Sequence, residues 1–402
     1  MKFDKELYPR FEADNATINQ YRQSIDKLPP ILVTKDLTII DGYHRYVAFK
    51  LEQRKEIQVK FSDISDRQQI LLKAIEENNA YGKQLTAKEK RKLAQQLWNE
   101  GIQDLNRLSE ILSVDIHTTR DYTETQRKKQ KEERDNEILD LYLQCWSQVE
   151  IAEKLSLDQK TIGNALRKNG ALSEIPKVDD LEHYNVWHIG SLAVDQLKFI
   201  GQTPIEILEN LIYYYTKDPT LEPLNVSKVV DPMAGSGVIR DVCIKLKRRY
   251  FLMDVSPIRQ DIPITQNDIL KGFPDKARNA DFVFLDPPYY KEKDYPECKF
   301  NTSLEDFYEA IEMTLKHSLE MLKDKGFAAL MLKPMGSHEK GDFEWLDLTL
   351  ESYSIITKVG FTLVKRICVP LSTQQYNEVD FDRAKKNRYM LNTLRDILVM
   401  QK

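Results

Sequence analysis

The residues best suited to chemistry in this chain are Asp286-Pro287-Pro288-Tyr289. They follow the apolar run at 282–285, which predicts a buried strand, and open α/β sheets bind ligands at the carboxyl ends of their strands. The Asp286 carboxylate and the Pro287 carbonyl can accept both hydrogens of an exocyclic amine, while the two prolines stiffen the turn. Tyr289 offers a ring face to a base turned out of a duplex. The set suits methyl transfer to the amine of a planar base, although a plain strand-to-turn exit can have the same sequence.

A second candidate site lies upstream, where a short β-branched strand enters a glycine loop. The loop reads Asp231-Pro232-Met233-Ala234-Gly235-Ser236-Gly237 and leads into a predicted helix at about 239–246. Glycines at such a position let the backbone approach a ligand closely, as in dinucleotide sites. The loop contains neither GxGxxG nor GK[ST], so it is not a standard NAD loop or P-loop.

Two acidic residues follow the next predicted strands. Asp254 comes directly after the strand at 250–253, where an acid is placed to bind ribose hydroxyls. Asp268 lies in the following loop, where it could meet an adenine amino group. The chain therefore presents a glycine loop and three acids after four successive strands.

This order of motifs resembles the S-adenosylmethionine-dependent amino-methyltransferases of DNA, which make N6-methyladenine or N4-methylcytosine. The resemblance covers residues 180–402 and implies an α/β Rossmann-like methyltransferase sheet, with S-adenosylmethionine as cofactor and double-stranded DNA as partner. It assigns catalysis to Asp286, Pro287, Pro288 and Tyr289. It assigns cofactor contacts to Thr203, Pro204, Asp231, Pro232, Met233, Ala234, Gly235, Ser236, Gly237, Asp254 and Asp268. Met233 stands where the family usually has Phe, and Met is a flexible apolar substitute.

The resemblance also bears on the base that is methylated. Asp286, rather than Ser, as the first motif residue accompanies adenine in that family, so N6-adenine methylation is expected and N4-cytosine methylation is the alternative. Methylation of RNA or of a protein amide stays open, because those enzymes also use Pro-Pro-Tyr signatures. A further alternative is a ParB-like DNA-binding regulator whose methyltransferase half is inactive. A site-specific enzyme of this kind would fit a restriction-modification role.

Residues 1–85 predict a small α/β domain with strands at 28–33, 37–40 and 57–61. The second strand ends in Asp41-Gly42-Tyr43-His44-Arg45, before a helix predicted to turn Val47, Ala48 and Leu51 inward. This junction resembles the N-terminal domain of ParB partition proteins and the related sulfiredoxins, which implies a nucleotide-phosphate site at Gly42, His44 and Arg45. Tyr43 replaces the sulfiredoxin cysteine, and Gly-Tyr-His-Arg replaces the usual Gly-Glu-Arg-Arg of ParB. The alternative is therefore a docking domain in which Arg45 makes a structural hydrogen bond.

Residues 86–175 predict helices, including two helix-turn-helix candidates. The stronger spans 147–168, and its second helix turns outward side chains suited to bases and phosphates: Lys160, Thr161, Asn164, Arg167 and Lys168. The weaker spans 105–122, with Thr118, Thr119 and Arg120 predicted to face outward. Short helical pairs also occur in proteins that never touch DNA. A hinge into the catalytic domain is expected at 170–180.

The formal net charge of −4 excludes a global basic field, so any charge that binds nucleic acid must be local. Lys291 and Lys293 provide such charge in the polar segment 290–301, which is predicted to be a flap over DNA. The four cysteines lie far apart, and no metal site is expected. Without an apolar leader or span, a cytoplasmic location is expected. The sequence is also compatible with a homodimer.

Overall fold

The computed structural model describes residues 1–10, 14–80, 84–168, 181–187, 189, 203–217, 225–290, 299–333, 335–337, 344–370, 377–388, 390–391 and 394–402. Contacts group the chain into two compact units, Met1–Arg134 and Asp135–Lys402. This grouping differs from the expected division into 1–85, 86–175 and 180–402, because the second helical pair falls in the same unit as the large sheet. The expected hinge at 170–180 lies outside the described residues.

The first unit combines a small sheet with a set of helices. Its elements are β1 Ile31–Thr34, β2 Ile39–Asp41, β3 Val59–Ser62, α1 Asn15–Gln23, α2 Tyr43–Leu51, α3 Arg67–Ala80, α4 Ala87–Asn99, α5 Leu105–Leu112, α6 Ile116–Tyr122 and the start of α7 Glu124–Leu143. Strand β1 pairs antiparallel with β2 and parallel with β3, so the three predicted strands are confirmed. Leu51 was expected to face inward, but it is 54% exposed because α2 ends at this residue.

One apolar cluster connects the small sheet of the first unit to its helices. Leu7 and Ile40 pack with Leu71 of α3, Leu93 of α4 and Leu108 of α5. The α/β part and the first helical pair therefore share a core, and burial of this core stabilises both parts together.

The two helical pairs have the same turn. In α5–α6, Ser113 has a φ of 50° and Asp115 caps the second helix; the pair α8 Gln148–Leu155 and α9 Gln159–Lys168 repeats this with Ser156 at 53° and Asp158. Asp side chains are favoured N-caps because they accept the free amides of the first turn. Thr119 was expected to face outward, but it is fully buried and its hydroxyl donates to the Asp115 carbonyl.

The second unit contains the rest of the structure. Besides α8 and α9, its elements are α10 Ile205–Tyr215, β4 Lys228–Asp231, α11 Val238–Lys245, β5 Arg249–Asp254, β6 Ile264–Gln266, β7 Ala280–Leu285, α12 Leu304–Met321, β8 Leu322–Leu332, β9 Met335–Ser337, β10 Glu344–Leu346, α13 Leu348–Val359, β11 Thr362–Pro370, α14 Glu378–Asn387 and β12 Leu394–Gln401. The strands predicted before the glycine loop, before Asp254 and before Asp286 are confirmed as β4, β5 and β7.

Seven strands of the second unit form one sheet in the order β11-β12-β8-β7-β4-β5-β6. Strands β6, β5, β4, β7 and β8 are mutually parallel, and β12 runs antiparallel between β8 and β11. Chain order reverses at β4, which has β5 on one side and β7 on the other. In a doubly wound α/β sheet such a reversal opens a crevice at the carboxyl ends of the two strands.

Helices cover both faces of this sheet. On one face α10 and α11 bury Ile207, Leu211 and Ile239 against Phe282 of β7. On the other face α12 and α13 pack on β7 and β8, with Phe307 fully buried. Because consecutive residues of β7 point to opposite faces, its whole apolar run is buried. This double cover fixes β7 and therefore the turn that follows it.

Candidate active site at the sheet reversal

Asp286 directly follows β7, at the reversal point of the sheet. Its two carboxylate oxygens accept different hydrogen bonds: the Thr203 hydroxyl donates to Oδ2 at 2.7 Å and the Tyr289 hydroxyl donates to Oδ1 at 2.9 Å. Each oxygen has two lone-pair positions, so the carboxylate can still accept from an amine. Two donors on separate oxygens hold the carboxylate in one orientation before any substrate arrives.

The glycine loop lies beside this carboxylate, after β4. The Asp231 Oδ1 accepts from the Met233 amide at 3.0 Å, and the Asp254 Oδ2 accepts from the Gly235 amide at 2.8 Å. Gly237 has a φ of 72°, and a Cβ there would lie 2.3 Å from Ile262 Cδ1. Gly235 has a φ of 50°, but a Cβ at this residue would have no heavy atom of the described residues within 4 Å. Among the described residues there is therefore open space over Gly235, where a bound molecule could approach the backbone.

The fold strongly shifts the pKa of Asp231, the first residue of the glycine loop. It is 5% exposed, and burial raises its pKa to about 8. The amide of Met233 opposes this shift, while the negative charges of Asp286 and Asp254 add to it. A carboxyl group kept protonated by burial becomes charged when a cation binds nearby, because the cation replaces the missing solvation. Asp231 thus favours a positively charged ligand in the crevice.

The other predicted cofactor and catalytic residues lie around this crevice. Pro204 is the N-cap residue of α10. Asp268 follows β6, the strand next to β5, and its Oδ1 accepts from the Leu270 amide at 3.1 Å. Tyr289 is only 9% exposed, so most of its ring is covered. Pro287 is buried and Pro288 is half-buried in the same turn. The stacking role of Tyr289 and the ligand contacts of Asp268 remain predictions.

Two contacts of the site have no signal in the local sequence. The Thr203 hydroxyl contacts Asp286, 83 positions along the chain, and the predicted cofactor contact of Thr203 stays a prediction. Arg259 was not singled out, and its guanidinium donates to the Ser236 carbonyl of the glycine loop at 3.3 Å. This bond ties the loop after β5 to the loop after β4, and Arg259 is held in its own loop by an ion pair with Asp261.

The predicted phosphate site of the first unit borders a cavity of about 570 Å³. Arg45 donates to the carbonyls of Pro29 and Pro30 at 3.0 and 2.8 Å and pairs with Asp41 at 2.6 Å. The Nε2 of His44 accepts from the Asp14 amide at 2.9 Å. A guanidinium already paired with a carboxylate attracts an anion less, so the geometry favours the structural role for Arg45. The nucleotide site itself stays a prediction.

The predicted DNA-contact residues differ in their environment. Lys160, Asn164 and Arg167 of α9 are exposed, as is Arg120 of α6. Thr161 donates to the Asp158 carboxylate at 2.6 Å, so its hydroxyl is used in the helix cap. For Lys168 only the backbone position, at the end of α9, is described. Lys291 and Lys293 lie outside the described residues, and Tyr290, at the start of the predicted flap, is buried against Phe307.

Neither a metal centre nor a membrane span is found in the part of the chain that the structure describes. No group of three or more His, Cys, Asp or Glu side chains in those ranges has a metal-binding arrangement. None of the helices there has the length and apolar character needed to cross a membrane.

The order of strands and the crevice at their reversal define a doubly wound α/β protein. A family model described as DNA methylase, of the N6/N4 methyltransferase type, matches residues 5–263, which is more than half of the chain. The chain therefore belongs to the N6/N4 DNA methylase family. The matched region contains the glycine loop and Asp254 and ends before Asp286. No curated protein matches the chain.

Several solved structures are similar to parts of the chain. A SAM-dependent methyltransferase from Archaeoglobus fulgidus is 13% identical over 50% of this chain and 95% of its own, with a TM-score of 0.31. A Burkholderia thailandensis 1,6-didemethyltoxoflavin-N1-methyltransferase with S-adenosylhomocysteine is 12% identical over 49% of this chain and 77% of its own, with a TM-score of 0.31. TrmN from Thermus thermophilus is 13% identical over 50% of each chain, with a TM-score of 0.31. At TM-scores this low, none of these likenesses bears on the function of this chain.

Proposed function

We propose that this chain transfers the methyl group of S-adenosylmethionine to the exocyclic N6 amine of adenine in double-stranded DNA. The observation that carries the proposal is the Asp286 carboxylate, oriented by Thr203 and Tyr289 beside the glycine loop of a DNA methylase family member. Adenine rather than cytosine rests on Asp as the first motif residue, and N4-cytosine methylation is the alternative.

The crevice has the features that the cofactor requires. The sulfonium and ammonium groups of S-adenosylmethionine are positively charged, and they would meet Asp231, whose burial disfavours a lone negative charge. Open space over Gly235 admits a ligand to the backbone, and Asp254 lies where an acid binds ribose hydroxyls. When bound, the cofactor supplies an electrophilic methyl group.

The chain's own residues would orient and stabilise the amine. Asp286 accepts from the amine and stabilises the positive charge that develops on its nitrogen as the N–CH3 bond forms and the S–CH3 bond breaks. The methylated nitrogen then loses one proton to the Asp286 carboxylate or to water. Thr203 and Tyr289 are positioning residues, because each donates to one oxygen of that carboxylate. Alignment of amine, methyl group and leaving sulfur supplies the rest, so no covalent intermediate with the protein is needed.

The test compares Asp286→Ala with Asp324→Ala, which removes an exposed carboxylate at the start of β8, on the opposite edge of the same sheet. Radiolabelled methyl transfer to genomic DNA should fall roughly 100-fold or more in the first variant and stay near the wild-type rate in the second. Calorimetry should show that both variants bind S-adenosylmethionine.

Two results would contradict the proposal in different ways. Wild-type turnover in Asp286→Ala would remove this residue from the mechanism. Absence of cofactor binding in the wild-type chain would favour a DNA-binding regulator with an inactive catalytic half. Mass spectrometry of the digested nucleosides identifies the base, and N4-methylcytosine in place of N6-methyladenine would overturn the base assignment.

A further inference from the structure

Helix α9 has a basic face that the proposed methyl transfer does not itself use. Lys160, Asn164 and Arg167 are exposed and lie at positions i, i+4 and i+7, so they share one side of the helix. The buried residues Ile162 and Leu166 lie on the opposite side. The sequence of α9, QKTIGNALRK, has three cations and no acid. Cationic and amide side chains on one helix face suit the phosphates and base edges of duplex DNA.

The other helical pair provides an internal comparison. Helix α6 follows the same type of turn as α9, with the sequence IHTTRDY. Its Arg120 is followed directly by Asp121, so α6 carries no excess of positive charge. The shared turn is therefore a structural feature of both pairs, and the basic face is particular to α9.

Contacts at β5 and just before β7 fix where the end of α7 and the start of α8 attach to the large sheet. Arg249 is the first residue of β5, and its Nε donates to the Tyr142 carbonyl at 3.2 Å while its guanidinium lies 4.9 Å from the Tyr142 ring centre. Lys276, just before β7, pairs with Glu150 of α8 at 3.4 Å and lies 5.0 Å from the Trp146 ring centre. Both contacts are at the amino ends of their strands.

Apolar packing places α9 at the same edge. Val226, just before β4, shares a cluster with Ile138 of α7, Ile151 of α8 and Ile162 of α9. The helices therefore pack beneath the amino ends of β4, β5 and β7. The acids of the active site, Asp231, Asp254 and Asp286, are at the carboxyl ends of these three strands.

This arrangement separates the basic face from the methyl-transfer site. Strand β5 has six residues, so its ends lie roughly 17 Å apart at about 3.3 Å per residue. The helices beneath the sheet add about 10 Å for a helix diameter. A duplex is stiff over about 150 base pairs, so DNA that crosses the carboxyl edge cannot also follow the surface round to the opposite edge.

We propose that α9 binds a second DNA segment, separate from the segment whose base enters the active site. The inference rests on the proposed function for the identity of the substrate as DNA. Lys160 and Arg167 contact phosphates of this second segment, and Asn164 faces its bases. The contact holds the enzyme on DNA and raises the local concentration of target sites, but it does not read the bases that flank the methylated one.

The experiment measures whether the full chain bridges two duplexes. A biotinylated duplex of about 30 base pairs, three helical turns, is fixed on beads, and capture of a dye-labelled duplex of the same sequence is measured. The test variant is Lys160→Gln with Arg167→Gln. The control, Lys325→Gln with Lys365→Gln, removes the same charge from two exposed positions of the sheet. Wild type and control should capture the dye-labelled duplex, and the test variant should capture at least about tenfold less of it. In the test variant, the log–log slope of DNA affinity against salt concentration should also be smaller in magnitude by about 2.

Methylation of a short duplex separates this inference from the proposed function. A target duplex of about 12 base pairs has little more than one helical turn, so it is long enough to cover only the carboxyl ends of the strands. On this duplex the test variant should methylate at the wild-type rate. A lower rate on the short duplex would overturn the inference, since α9 would then act beside the target base. Bridging that persists in the test variant would also overturn it and would assign bridging to another surface or to a dimer. Loss of bridging without methylation by any of the proteins would support the inference and contradict the proposed function.

Discussion

Asp231 shows how a single buried acid can link the candidate active site to the stability of the protein. The folded state raises its pKa from 3.8 to about 8. Between these values the folded protein holds a proton that the unfolded chain releases, so the free energy of unfolding falls as pH rises. The limiting slope is about 1.4 kcal/mol per pH unit for one such group.

Asp231→Asn should remove this pH dependence. Its amide oxygen can still accept from the Met233 backbone, while its side chain no longer ionises. Urea unfolding of the cofactor-free protein between pH 5 and 8, within the window set by pKa values of 3.8 and about 8, should show the variant gaining stability relative to wild type as pH rises. Asp275→Asn, at an exposed acid, is the control. Parallel pH profiles for wild type and Asp231→Asn would show that Asp231 is ionised in the folded protein.

The two glycines of the loop make a matched pair, because both have a positive φ but only one has a close neighbour. Gly237→Ala should cost about 1–3 kcal/mol of stability, since its Cβ would overlap Ile262. Gly235→Ala should cost about 1 kcal/mol for the left-handed backbone alone, but it should lower the affinity for S-adenosylmethionine because the added methyl group enters the open space. Chemical unfolding and calorimetry measure the two effects. If both variants lost the same affinity for S-adenosylmethionine and the same stability, Gly235 would not be the glycine that faces the ligand.

At the scale of elements, the outer strand β11 is joined to β12 by an ion pair whose carboxylate is buried and whose guanidinium is partly exposed. Asp396 is 1% exposed, and the Arg366 guanidinium donates to both of its oxygens at 3.0 and 2.8 Å. The Thr349 hydroxyl of α13 donates to the same carboxylate at 3.2 Å. One carboxylate therefore joins two strands and a helix.

Arg366→Ala should destabilise the second unit by about 1–3 kcal/mol, because it leaves the buried Asp396 carboxylate with only part of its hydrogen bonds. Lys365→Ala removes the neighbouring exposed cation and should change stability by less than about 0.5 kcal/mol. Denaturant unfolding monitored by tryptophan fluorescence gives both values. A cost below about 1 kcal/mol for Arg366→Ala would show that water solvates Asp396 when the arginine is removed.

At the scale of the whole molecule, the boundary between the two units determines which fragments can fold. Every expected cofactor contact lies after residue 180, which by sequence alone favours a catalytic fragment starting there. The structure instead groups Asp135–Lys402 as one unit, in which Tyr142, Ile151 and Ile162 cover Val226 at the amino edge of the sheet.

A fragment starting at Asp135 should therefore be monodisperse and bind S-adenosylmethionine with wild-type affinity. A fragment starting at Asp180 should expose the apolar amino edge, which favours self-association, and should melt at a lower temperature. Size-exclusion chromatography, thermal unfolding and calorimetry compare the two. Identical melting temperatures and elution profiles would mean that the helices contribute nothing to the catalytic unit.

The sequence alone determined those features that depend on local pattern. Apolar runs with turn residues after them located β4, β5 and β7, and the glycine loop and Asp-Pro-Pro-Tyr followed at their ends. A capping residue also marks the start of α12, where the Ser303 hydroxyl accepts from the Asp306 amide. These signals are readable because burial period, turn chemistry and capping act over a few residues.

Only the tertiary structure decided which distant residues meet. It brought Thr203 to Asp286, paired Arg45 with Asp41 and the carbonyls of Pro29 and Pro30, and buried Thr119 against expectation. It also placed α8 and α9 at the amino edge of the sheet, opposite the active site. Such contacts follow from how helices pack on the two faces and edges of a sheet, and packing depends on complementary shape across the whole unit rather than on any short stretch of sequence.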